Sequence, residues 1–189
     1  MWTKFTENDW FVLFVKTNIE ETIKQNLIST FGDKYIFYVP KKIMKERRGG
    51  KWKTVTKPLF KGYIIFKGNL QKEDYYLMNN INDVYYVLKN EKGPIPMLKD
   101  EIELLEKLLN NSENDSIGVS DIYMVGEDIY VENGPLQSLE GIIVSVNKRK
   151  GRAKVRLSVG GNEKLIDLSI NFINHKNQTK ENLLKLGGN

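Results

Sequence analysis

The chain has 189 residues, with 29 Lys or Arg against 24 Asp or Glu, and 40% of its residues are apolar. That length admits one domain or two small ones, and that apolar content suits a folded chain rather than a disordered one. Zero cysteines exclude disulfides and thiolate metal sites, and the lone histidine, His175, makes a transition-metal site a poor fit. No apolar run reaches the roughly 20 residues that span a bilayer. The start, MWTKFTENDW, lacks the basic-then-apolar layout of a secretory signal. The expectation is a cytoplasmic protein with no cofactor and no membrane partner.

Residues 10–15, WFVLFV, are apolar on both faces and predict a central strand. Asn18 with Glu21 three residues later reads as a capping box, and Ile19, Ile23, Leu27 and Phe31 then recur at helical spacing. A strand over 35–39 leads into the most charged part of the chain. Residues 41–61 hold nine Lys or Arg and one acid, Glu46, a net +8 where the whole chain carries +5. Basicity gathered in one arm points to nucleic acid; the alternative is a solvated loop. Gly49-Gly50 at its middle predicts a tight hairpin turn, which needs positive φ at both central positions. The return limb alternates Lys51, Lys53 and Lys57 with Trp52, Thr54 and Thr56, the period of a strand. Lys45, Arg47, Arg48, Lys51 and Lys53 are the candidate phosphate contacts. Trp52 either stacks on an unpaired base or packs across the hairpin. A strand at 63–66, a short helix at 71–80, a strand at 84–88 and a helix at 99–110 complete residues 8–110. They predict an α+β domain with helices packed on a mostly antiparallel sheet.

Residues 111–120, NSENDSIGVS, are small and polar and predict a flexible linker. Beyond it, segments at 128–131, 142–147, 152–159, 163–168 and 172–173 predict a small all-β barrel over 121–174, followed by a polar tail at 175–189. Seven bases balance seven acids between 121 and 174, yet six of those bases fall within nine residues: Lys148, Arg149, Lys150, Arg152, Lys154 and Arg156. Strand alternation puts Ala153, Val155, Leu157 and Val159 inward and Arg152, Lys154 and Arg156 in a surface row. The row is either a nucleic-acid track or a charge-guarded edge. Tyr123, Tyr130 and Phe172 are the only rings in this part and none lies within the basic run, which favours a folded duplex over an unpaired strand. Ile142, Ile143, Val144 and Val146 favour β structure over helix, so the barrel is expected to stay β and to hang free of the first domain. Glu20-Glu21 and Asp100-Glu101 sit at helix starts, where the dipole accounts for them without acid–base chemistry. Gly49-Gly50 and Gly160-Gly161 lack the lysine and serine of a phosphate-binding loop. With no catalytic constellation, the chain is not expected to be an enzyme.

Several short motifs then fall in a meaningful order. Trp10-Phe11-Val12, Glu20, Pro58-Leu59-Phe60-Lys61-Gly62-Tyr63 and Pro94-Ile95-Pro96 with Asp100-Glu101 resemble the N-terminal domain, NGN, of the NusG family, with Asn18 in place of a glycine and Lys61 in place of a proline. Asn133-Gly134-Pro135-Leu136 with Gly141 resembles the KOW motif that follows it. The resemblance spans about residues 8–174 and implies an NGN domain followed by an SH3-like KOW barrel. It implies a monomeric transcription elongation factor that docks on the clamp helices of RNA polymerase through Phe60, Tyr63, Ile65 and Val87, with Trp10 beside them. The arm would meet upstream or non-template DNA, and residues 72–75 the other jaw of the polymerase. The family's ring and arginine positions for Rho and ribosomal protein S10 correspond to Leu136 and to Val159-Gly160-Gly161-Asn162, which lack those groups. The chain is therefore most similar to the specialised LoaP-type antiterminators, which implies that Lys148, Arg149, Lys150, Arg152, Lys154 and Arg156 bind a nascent RNA hairpin. A general factor coupled to Rho or S10, and a KOW-type ribosomal assembly factor, stand as alternatives.

Overall fold

The computed structural model describes residues 2–110 and 116–173; residues 111–115 of the expected linker, His175 and the expected tail at 175–189 lie outside them. In chain order the first part comprises β1 (Trp10–Val15), α1 (Glu20–Phe31), β2 (Ile36–Tyr38), β3 (Lys41–Arg48), β4 (Lys51–Pro58), β5 (Tyr63–Lys67), α2 (Lys72–Asn79), β6 (Val84–Val87), the short pair β7 (Lys89–Asn90) and β8 (Gly93–Pro94), and α3 (Lys99–Asn110). The second comprises β9 (Ser116–Ile117), β10 (Ser120–Val125), β11 (Asp128–Asn133), β12 (Ile143–Asn147), β13 (Arg152–Val159) and β14 (Asn162–Phe172). This is an α+β domain followed by a small β domain, as the sequence predicts.

The central sheet has the order β2-β5-β1-β6, all antiparallel. β1 is interior, and its residues part by alternation. Phe11, Leu13 and Val15 join Ile23 and Leu27 of α1 and Met78 of α2 in one core, while Val12 points to the opposite face with Ile65 and Leu88. Burial of such side chains contributes about 1.5–3 kcal/mol each, so the sheet gains on both sides.

The helix start differs from the capping box. Asn18 adopts φ +70 and makes no cap; the residue flanking α1 is Ile19, with no side-chain capping bond. An asparagine enters the left-handed region at lower cost than most residues, which is why it can stand where the family pattern has glycine. Glu20 is buried, and its Oε1 accepts the Gly62 N–H at 2.8 Å. Two motifs 42 residues apart are thus one structural unit. Glu20→Ala orphans that buried N–H and is expected to cost about 1–3 kcal/mol, read as a lower denaturation midpoint. An unchanged midpoint would mean that the bond carries no stability.

The arm is the hairpin that the sequence predicts: β3 and β4 pair from Lys41↔Pro58 to Arg48↔Lys51, and Gly49 and Gly50 have φ of 56 and 78. β9, within the expected linker, adds to this hairpin in parallel register with Lys41 and Lys42. The β domain is a five-stranded sheet of order β11-β10-β14-β13-β12. Along β13 the alternation holds, with Ala153, Val155, Leu157 and Val159 buried.

The β domain does not hang free. Val12, Leu59, Phe60, Ile65, Leu88 and Met97 of the first domain share one continuous apolar core with Leu136, Val155, Leu157 and Val159 of the second, and α3 closes its side with Leu105 and Leu108. Glu101, buried at the start of α3, accepts the Leu98 N–H at 3.0 Å and the Gly161 N–H at 2.8 Å, so one carboxylate both caps its helix and holds the β13–β14 turn.

Candidate nucleic-acid and protein interface

The expected docking residues occupy four environments. Phe60 and Ile65 are 6% and 0% exposed, under the β domain. Tyr63 lies at the rim, its ring 5.4 Å from Phe14 and 5.2 Å from the Lys164 ammonium of β14. Trp10 stacks on Tyr38 at 5.1 Å and borders a cleft shared with Ile102 and Leu105 of α3. Val87 is fully buried on the opposite, helix-covered face. The cause is an irregularity where β1 pairs β6, between Phe14 and Val15. A one-residue change of register reverses which side chains face which way, and Leu88 takes the place that the sequence reading gave to Val87. The reading also missed Tyr85 and Tyr86. They are 54% and 42% exposed and pack on Phe14 at 5.3 and 5.4 Å, leaving an aromatic edge beside Tyr63 that the β domain does not cover. Their adjacency in the sequence hid it, because strict alternation would bury one of the two.

The six cations of the basic run divide. Arg152 donates from Nη1 to Ser169 Oγ at 2.8 Å and from Nη2 to the Lys45 carbonyl of the arm. Lys154 faces Asp167 at 4.0 Å and Arg156 faces Glu163 at 3.4 Å. Exposed pairs of this kind contribute about 0–1 kcal/mol, so a phosphate can displace the acid at low cost. Lys148, Arg149 and Lys150 sit at the β12–β13 turn, where Asn147 Oδ1 accepts the Lys150 N–H at 2.9 Å and Lys148 Nζ lies 4.1 Å from the centre of the Phe172 ring.

In the arm, Glu46 pairs with Lys57, Lys45 Nζ reaches Asn171 Oδ1 at 3.4 Å, and Arg47 Nε donates to the Gly50 carbonyl at 3.2 Å. Lys51 and Lys53 are exposed, and the Arg48 side chain lies outside the described part. Trp52 stands opposite Arg47 in the register yet is 62% exposed, so cross-strand packing does not cover it.

Two cationic clefts run along the contact between the arm and β14. One, of about 440 Å³, is lined by Lys42, Lys57, Lys61, Lys154 and Lys164 around Asp167. Burial pushes the Lys42 ammonium down to about 8; Asp167 opposes the shift, while Arg152, Lys57 and Lys61 add to it. The other, of about 640 Å³, joins Lys45, Trp52 and Lys53 to Lys148, Arg149 and Lys150. Segments read from the sequence as separate sites are thereby one surface.

An α+β domain with a helix-backed antiparallel sheet, carrying a basic hairpin and a β domain against its other face, is the class of protein that the fold defines. A family model described as transcription termination factor nusG matches residues 8–106, more than half of the chain. The transcription termination/antitermination protein NusG of Rickettsia felis is 27% identical over 172 residues, covering 87% of this chain and 88% of that one. Its namesake from Thermus thermophilus is 28% identical over 186 residues, 87% of this chain and 97% of that one. A solved structure described as domain interaction in Thermotoga maritima NusG shares the fold with a TM-score of 0.51 at 18% identity, over 85% of this chain and 93% of that one. The chain belongs to the NusG family.

Proposed function

We propose that this protein is a transcription elongation factor that docks on the clamp helices of RNA polymerase through the face holding Phe60, Tyr63 and Ile65, and that favours antitermination by binding a hairpin in the nascent RNA. The observation that carries the reading is the family's fold bearing two basic segments side by side, the arm at Lys45 and Lys53 and the turn at Lys148, Arg149 and Lys150. Phosphate contacts of this kind position a protein on nucleic acid without reading its sequence. Phe14, Tyr85 and Tyr86 form the exposed beginning of the docking face. Full docking through Phe60 and Ile65 requires the β domain to move away. Rho or S10 coupling is disfavoured because Leu136 and Val159-Gly160-Gly161-Asn162, at the positions expected to face those partners, carry no aromatic ring and no arginine.

The test is capture of core RNA polymerase on the immobilised full chain, followed by titration of a leader RNA in its hairpin and unfolded forms. Retained polymerase and preference for the hairpin are expected. Absence of polymerase would overturn the elongation-factor reading, and equal affinity for the two RNA forms would overturn hairpin recognition.

A further inference from the structure

The basic arm and the turn at 148–150 are about a hundred residues apart in sequence, and the fold seats them across one cleft. The cleft is lined by five cations, Lys45, Lys53, Lys148, Arg149 and Lys150, and among the described residues by no acid. Two rings also border it, Trp52 from the arm and Phe172 from the end of β14. Trp52 is one of the most exposed large apolar side chains of the protein, and it belongs to neither apolar core. Cations beside a bare ring are the two elements by which proteins hold unpaired strands: the charges follow the phosphates and the ring stacks on a base. From the sequence the basic run of the β domain has no ring near it; the fold supplies one from the other domain.

The walls are held in place by the domain contact itself. The Arg152 fork ties Ser169 to the Lys45 carbonyl, Lys45 Nζ reaches Asn171, and Lys42 Nζ donates to the Asp167 carbonyl at 2.9 Å. Were the domains to part, each would keep only half of the cleft.

We propose that Lys45, Trp52 and Lys53 of the arm, with Lys148, Arg149 and Lys150 of the β domain, form one site for a single unpaired polynucleotide strand, and that this strand holds the two domains together. The inference rests on the nucleic-acid reading above and refines it: a hairpin held on the β domain would pass its adjoining unpaired tail through this cleft. A ligand that binds only the joined arrangement must stabilise it, because the coupling between strand and domain contact is reciprocal. Strand binding therefore opposes exposure of Phe60 and Ile65, so the tail leaves the cleft before polymerase takes that face.

The experiment uses the full chain and labelled oligonucleotides: oligouridylate RNA and oligothymidylate DNA of about ten nucleotides, within the span that small strand-binding folds cover, a blunt RNA hairpin, and the same hairpin with an unpaired tail. The tail is expected to raise hairpin affinity. Five phosphate contacts to a single strand give a slope of log affinity against log salt of about −3.5, and Lys53→Ala with Lys150→Ala should bring it to about −2.1. Trp52→Ala should weaken oligonucleotide binding about tenfold and leave the blunt hairpin unaffected. Arg152→Lys keeps the charge but loses the fork, and should weaken the oligonucleotide as Arg152→Ala does. Added strand should slow hydrogen exchange at the Gly161 N–H, which reports the domain contact through Glu101. Comparison of the RNA and DNA oligonucleotides identifies which strand the site takes. If the blunt hairpin binds and the tail adds nothing, the composite site fails while the hairpin reading stands. If the oligonucleotide binds with the stated dependence and the hairpin does not, the converse holds. Loss of oligonucleotide binding from only one of the two walls, or an unchanged Gly161 exchange, would overturn the composite site.

Discussion

Gly160→Val is expected to separate the two domains while leaving each folded. Gly160 sits in the β13–β14 turn with φ +58, and a Cβ built there would lie 2.4 Å from Leu88 Cδ2. Leu88 is itself buried in the shared core, so it has little room to yield. Left-handed strain costs about 1–2 kcal/mol for a residue with a Cβ, and overfilling a packed site about 1–3 kcal/mol more. Both costs fall on the turn that packs against Leu88 in the shared core, so they act on the contact between the domains. Gly161→Ala is the control: φ is +75 there, yet nothing lies within 4 Å of its Cβ. The control keeps strain and removes the clash. Hydrogen exchange should show the Gly161 amide opening in Gly160→Val, with the Phe11 and Ile64 core unaffected. If the two variants exchange alike, the clash with Leu88 does not govern the contact.

Much of this fold could be read from residue order, and the parts that could not share a physical reason. β1 announced itself as interior because Phe11, Val12 and Leu13 leave no polar face, and the arm because Gly49-Gly50 interrupts a charged β pattern. The row Ala153, Val155, Leu157 and Val159 likewise fixes which side of β13 is core. What alternation cannot state is the partner of a buried face. Val12, Phe60, Ile65 and Leu88 look the same in sequence whether a helix, a polymerase or the chain's own β domain covers them, because burial is non-directional. The place of Val87 was lost to an irregular pairing that periodicity does not encode. Glu101 and Arg152 were legible as a helix-dipole acid and a surface cation. Their bonds to Gly161 and to the Lys45 carbonyl depend on tertiary placement, which no local pattern carries. The two nucleic-acid candidates were identified separately for the same reason: sequence distance conceals that they line one cleft.

Tyr63→Ala is expected to weaken polymerase binding, and by more in an opened background than in the native chain. In the packed arrangement the Tyr63 ring is held by Phe14 on one side and the Lys164 ammonium on the other. Parting the domains removes Lys164 and turns the ring, with Phe60 and Ile65, into a continuous apolar surface reaching Tyr85 and Tyr86. A buried aromatic anchor costs about 2 kcal/mol or more when truncated. On the proposed docking, polymerase must also displace the β domain of the native chain, so affinity is reduced to the fraction of molecules that are open. Gly160→Val should therefore raise polymerase affinity, and Gly160→Val with Tyr63→Ala should lower it from that raised level by about thirtyfold, the equivalent of about 2 kcal/mol. Fluorescence titration of core polymerase with each variant measures both steps. Equal affinity of the native and opened chains would show that the β domain does not compete with polymerase for this face. A rise in the opened chain that Tyr63→Ala leaves intact would place the anchor elsewhere on the exposed surface, with Phe60 and Ile65 the next residues to truncate.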